Sequence, residues 1–141
     1  MKKTVKSIRI ISGKIIKNNK GDIIKFLDRK NKFFKGFGDI YFSEIHKNKF
    51  KGWNYHKKNT CTIIATMGEV NFRIFNPINK KMFKISIGKR NNKIIQIPPG
   101  LWFSFTTRNK KSLIANFMNF PHKKNETLKK TLLMKLQLNK N

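Results

Sequence analysis

Thr62-Ile63-Ile64-Ala65-Thr66-Met67-Gly68-Glu69-Val70-Asn71-Phe72-Arg73-Ile74-Phe75 is the stretch that decides the fold class. Its two halves are rich in β-branched and aromatic residues, and Met67-Gly68-Glu69 between them supplies a turn, so the stretch reads as a β-hairpin. Downstream, Phe83, Ile85 and Ile87 alternate with Lys84 and Ser86, the period of two that marks a strand with one buried face. Arg90-Asn91-Asn92-Lys93 is a turn before Ile94 to Ile97. Pro98-Pro99-Gly100 then breaks the ladder, because proline has no N–H to donate. Leu101, Phe103 and Phe105 share one face of the next strand, and Leu113 to Phe120 is the last strand candidate.

Upstream, the same pattern repeats. Ile8, Ile10 and Ile11, then Ile15 and Ile16, flank Gly13; Asn18 to Asp22 is a turn before Ile23 to Leu27; Ile40 to Ile45 is a further strand. Many short strands at close spacing predict an all-β sandwich or jelly roll. The chain end changes period. Leu128, Leu132 and Leu136 recur every fourth residue behind Asn125, a good cap, and predict a C-terminal helix packed on the barrel or on a dimer partner. The expected division is therefore a barrel over residues 1–123 and an amphipathic helix over 124–141.

The chain has 141 residues, enough for one core, and no apolar run of the ~20 residues a membrane span requires. Its start, with Lys2, Lys3 and Lys6 before an apolar part broken by Arg9, is not read as a signal peptide. One cysteine, Cys61, allows no internal disulfide, which suits a cytoplasmic setting. The net charge of +27 raises the question of nucleic acid. Lysine outnumbers arginine 28 to 5 and is scattered, whereas base readout leans on arginine's fork and a binding face concentrates charge. Composition drift toward Lys, Asn, Ile and Phe explains the excess better, and nucleic acid is not the expected partner.

Two short blocks carry the chemistry. Lys51-Gly52-Trp53-Asn54-Tyr55-His56-Lys57-Lys58 places Gly52, Asn54, His56 and Lys58 on one side of a strand and Trp53, Tyr55 and Lys57 on the other. About forty residues later comes Ile97-Pro98-Pro99-Gly100-Leu101-Trp102-Phe103. Together, in this order, they resemble the RmlC-like cupins, the small jelly-roll (double-stranded β-helix) barrels of sugar-nucleotide metabolism that include the dTDP-4-dehydrorhamnose 3,5-epimerases and the dTDP-hexose 3,4-ketoisomerases. The resemblance spans roughly residues 21 to 127. It implies a metal-free, cofactor-free enzyme, acting as a homodimer on a nucleoside-diphosphate 4-keto-6-deoxy sugar in surface-polysaccharide biosynthesis. The reaction implied is removal of a proton α to the ketone.

On that reading His56 is the candidate base, since imidazole titrates near neutrality, and Asn54 donates to the ketone oxygen. Lys51 and Arg73 meet the diphosphate, Lys58 is a further substrate-binding residue, and Trp102 stacks on sugar or base. The chain departs from the pattern at several positions. Asn54 stands where a catalytic histidine is expected and Cys61 where a lysine is. The last strand lacks a tyrosine, leaving Tyr41 and Tyr55 as the available phenols. No aspartate follows Asp39, so the histidine–aspartate dyad cannot be built in its usual form; Glu69 and Glu126 are the remaining downstream carboxylates. With three histidines in the chain, a cupin metal centre is not expected. A ketoisomerase, a non-catalytic sugar-nucleotide binder and a polyanion-binding barrel stay open beside the epimerase reading.

Overall fold

The computed structural model describes residues 7–129. They form twelve strands: β1 (Arg9–Ser12), β2 (Lys14–Ile16), β3 (Ile23–Lys25), β4 (Asp39–His46), β5 (Phe50–His56), β6 (Cys61–Met67), β7 (Glu69–Phe75), β8 (Met82–Gly88), β9 (Lys93–Ile97), β10 (Trp102–Thr106), β11 (Lys111–Met118) and β12 (Thr127–Lys129). Two antiparallel five-stranded sheets result, ordered β1-β9-β6-β11-β4 and β12-β5-β10-β7-β8, with β2-β3 as a separate ribbon. No helix occurs among the described residues. None is therefore long and apolar enough to cross a membrane.

Side-chain alternation makes the two sheets face each other. Cys61, Ile63 and Ala65 of β6, Ile95 and Ile97 of β9, and Ile114 and Met118 of β11 meet Val70, Phe72 and Ile74 of β7 and Phe103 and Phe105 of β10 in one buried cluster. Each such side chain contributes about 1.5–3 kcal/mol on leaving water. The outward residues of the first sheet, Ile64, Ile94 and Ala115, pack under Ile11, Ile24 and Phe26. On the outside of the second sheet Trp53, Phe75 and Trp102 form a smaller buried cluster.

The expected terminal helix does not begin where its first leucine stands. Thr127, Leu128 and Lys129 pair antiparallel with His56, Tyr55 and Asn54. The free edge of β5 offers unpaired backbone groups that a strand at once satisfies, and Thr127 favours extended backbone; these outweigh a four-residue leucine spacing. Leu132 and Leu136 lie outside the described residues.

One irregularity in β5 shapes the space between the sheets. Along β10, Phe103 pairs with Asn54 but Ser104 pairs with Gly52, so Trp53 is an extra residue bulged out of β5. Gly52 makes this possible. It has φ +119°, and a Cβ there would lie 2.7 Å from the Phe103 carbonyl oxygen and 2.8 Å from Ser104 Cα. Gly52→Ala is therefore expected to destabilise the protein by more than about 1 kcal/mol, read as a lower urea midpoint at unchanged m-value. A variant with the wild-type midpoint would contradict this account of the bulge.

Candidate active site

Between the sheets a cavity of about 500 Å³ opens to solvent. That is within the usual range for small-molecule sites, about 300–1,000 Å³. Its floor is apolar, made by Ile63, Phe103, Phe105, Ile114 and Met118. Its polar groups come from four strands: Tyr41 and Ser43 of β4, Lys51, Asn54 and His56 of β5, Asn116 of β11, and Thr127 and Lys129 of β12; His122 stands at the same opening.

His56 ends β5 and is buried. Its ring stacks on Phe103 at 5.9 Å between centroids and 23° between planes. Nδ1 lies 2.8 Å from Glu126 Oε2, a contact between residues 70 apart in sequence. The pairing of Thr127 with His56 delivers that carboxylate. Glu126 Oε1 accepts the backbone N–H of Lys58 and of Asn59, both at 2.8 Å, while Thr127 Oγ1 lies 3.3 Å from Oε2 and 3.1 Å from His56 Nδ1. Burial alone would raise this carboxyl, but the hydrogen bonds from His56, Asn59 and Lys58 together hold it at about 2. A charged carboxylate can only accept, so Nδ1 carries a proton toward Glu126, and Nε2 is the nitrogen left to face the cavity and exchange a proton there. The dyad is thus built in another form, with Glu126, one of the two downstream carboxylates, behind His56. Sequence distance hid it, because the register of β12 on β5 leaves no local signal.

Asn54 lies two residues before His56, on the same face. Lys51 would fall on the opposite face by strict alternation; the Trp53 bulge turns it into the cavity. Its Nζ donates to Ser43 Oγ at 2.7 Å and to the Glu44 carbonyl at 3.0 Å, and sits 5.9 Å from the centre of the Phe105 ring. The other three expected contacts lie elsewhere. Lys58 comes after β5 has ended, and its side chain borders a separate hollow with Arg9, Lys35 and Pro98, so only its backbone N–H serves the site. Arg73 falls between the core residues Phe72 and Ile74 and therefore faces outward beside Lys84 and Ser86. Trp102, next to inward Phe103, packs outside with Trp53 and Phe75, 4.9 Å from the Tyr55 ring.

Three residues gain weight from the structure: Asn116 and Tyr41, which line the cavity, and Glu126 behind His56. The Tyr41 hydroxyl donates to Asp39 Oδ2 at 2.9 Å. Burial, reinforced by the Asp39 carboxylate, raises the phenol, so it stays protonated at neutral pH. Cys61 is buried and its thiol is pushed up to about 12 by desolvation, which leaves it unreactive. Among the described residues no three of His, Cys, Asp and Glu come together as metal ligands. The assembly is an oriented imidazole base, neutral amide and phenol groups, and cations at the rim. It is suited to drawing a proton from carbon beside a carbonyl.

No family model and no curated protein sequence matches the chain. Solved structures do. A dTDP sugar isomerase from Desulfovibrio desulfuricans superposes with a TM-score of 0.86 at 23% identity, covering 90% of this chain and 85% of that one. The sugar 3,4-ketoisomerase QdtA from Thermoanaerobacterium thermosaccharolyticum, in complex with TDP, gives 0.76 at 16%, with 94% and 95% covered. The dTDP-6-deoxy-D-glucose-3,5-epimerase RmlC from Legionella pneumophila, in complex with dTDP-4-keto-L-rhamnose, gives 0.80 at 17%, with 93% and 76% covered. The chain has the fold of the RmlC-like cupins.

The Glu126 carboxyl also makes a pH prediction. Its folded value is depressed from an ordinary 4.5 to about 2, so its stabilisation is complete above pH 4.5 and is lost as pH falls from there toward 2. At 1.36 kcal/mol per unit the loss is about 3 kcal/mol at most. Glu126→Gln should be less stable at neutral pH and lose less than wild type between those limits in acid-titrated chemical denaturation. Parallel curves for the two proteins would refute the pairing.

Proposed function

We propose that this protein removes a proton α to the C4 ketone of a nucleoside-diphosphate 4-keto-6-deoxy sugar and returns it in a new position or on the other face. His56 Nε2 takes the proton from C3 or C5, and the electron pair of the broken C–H bond moves onto the C4 oxygen as an enolate. Reprotonation at the same carbon completes an epimerisation; in an isomerisation the 3-hydroxyl proton passes to O4 and C4 takes the returned proton, leaving the ketone at C3. The observation that carries this reading is the His56–Glu126 pair, buried at the wall of an open cavity. Asn54 donates to the ketone oxygen, and Lys51 at the rim meets the diphosphate. Epimerisation, as in the dTDP-4-dehydrorhamnose 3,5-epimerases, is the first reading. Isomerisation to the 3-ketone is the second; the cavity's single imidazole–carboxylate pair and the likeness to the dTDP sugar isomerase favour it. The protein works as a homodimer in this proposal.

The test is proton NMR of dTDP-4-keto-6-deoxyglucose with the protein in D2O. Epimerisation places deuterium at C3 or C5, whereas isomerisation gives a 3-ketone with deuterium at C4. His56→Ala should slow either by at least about 100-fold. Saturable binding without any exchange would leave only a sugar-nucleotide binder. Equal binding of any polyanion, falling steeply with salt, would replace the reading with a charge-driven one.

A further inference from the structure

Asn116 of β11 looks into the same cavity from the opposite sheet. It pairs with Tyr41 on one side and with Ile63 on the other. Its Oδ1 is closed off from solvent and has no hydrogen-bond partner. The Asn116 amide donates to the Cys61 sulfur, a weak acceptor, and this contact leaves Oδ1 unsatisfied. The residue is nonetheless only half-buried and lines the cavity. With the oxygen turned away, the atom it presents to a ligand is Nδ2, which carries two protons and spends at most one on the weakly accepting Cys61 sulfur. Asn54 is in the same condition on the facing wall: it lines the cavity, and its carboxamide makes no hydrogen bond with a described residue.

Two amides with an N–H to spare, one from each sheet, thus line the cavity that His56 also lines. A donor needs an acceptor, and a donor in a cavity floored by Phe103, Phe105 and Ile114 is worth most to an acceptor that gains charge. Resting on the function proposed above, one atom meets that description, the carbonyl oxygen that becomes an enolate when the base takes its proton. We propose that Asn116 Nδ2 is a catalytic hydrogen-bond donor to the substrate's ketone oxygen, acting with Asn54 from the opposite wall so that the enolate is held between the two sheets. The substrate class this selects is a sugar nucleotide whose carbonyl, rather than a hydroxyl, occupies that point.

The experiment compares wild type, Asn116→Ala and the isosteric Asn116→Asp for deuterium exchange into dTDP-4-keto-6-deoxyglucose, and for affinity toward dTDP alone by calorimetry. Both variants should lose about 100- to 1,000-fold in kcat, with KM changed by less than about fivefold and dTDP affinity by less than about twofold. Asn116→Asp keeps the side-chain volume, so it carries the test if Asn116→Ala unfolds. An Asn116→Ala enzyme within about threefold of wild-type kcat overturns the inference alone and leaves His56 as the base. An equal loss of dTDP affinity overturns it too, by making Asn116 a packing residue. A wild type that shows no exchange overturns the function itself, and this role falls with it.

Discussion

The grip of one carboxylate on the end of a strand organises the rest of this molecule. Glu126 reaches His56 and the backbone amides of Lys58 and Asn59 at once, tying the chain beyond β11 to the point where β5 stops. A buried charge without partners would cost several kcal/mol and would protonate instead. Here three good donors outweigh that cost, and the carboxylate stays charged. The consequence for the imidazole is geometric as well as electrostatic. Held by Nδ1 and stacked on Phe103, the ring has a fixed orientation and a fixed tautomer. Asn59 extends the same knot, since its Oδ1 accepts from the Phe120 backbone and so anchors the exit of β11.

The second constraint is the bulge at Trp53. A regular β5 would send Lys51 to the outer face and shift everything before it out of register with the cavity. Inserting one residue at a glycine keeps Lys51, Asn54 and His56 on one side while burying Trp53 completely on the other. The outer cluster of Trp53, Phe75 and Trp102 therefore supports the cavity wall from behind. Packing on one face and chemistry on the other are two results of the same local distortion.

These two constraints separate what is legible in the chain from what is not. Period-two patterns find β6, β7, β8 and β10 because each has one face against the core, and the Lys51 to His56 block contains the two residues nearest the proposed chemistry. Charge and ring type point Arg73 and Trp102 toward a ligand, although their neighbours Phe72, Ile74 and Phe103 already claim the inward face. Lys58 joins the expected site only if alternation is extended past the last residue of the strand. Glu126 is the reverse case. Its partner is 70 residues away, and only the pairing of β12 with β5 joins them. The same pairing displaces the expected start of the helix. Long-range register, which no local window contains, decides both.

The charge distribution sharpens the point. In a chain with 28 lysines and six carboxylates, a carboxylate has many ammonium groups to compete for it. Asp22 pairs with Lys17, Asp28 with Lys25 and Glu44 with Lys111. Glu69, Glu126 and Asp39 make no such pair; Glu126 holds an imidazole and Asp39 a phenol, and both rings line the cavity. Lys58, whose backbone N–H reaches Glu126, turns its side chain toward another hollow. An ammonium on that carboxylate would compete for the oxygen that orients His56 and would weaken its pull on the Nδ1 proton. Excluding lysine from these two acids is thus a structural requirement of the site, met in a background where lysine is the commonest neighbour. Drift in composition has covered the surface with cations. It has not reached the two pairs in which a carboxylate sets the state of a proton-carrying ring.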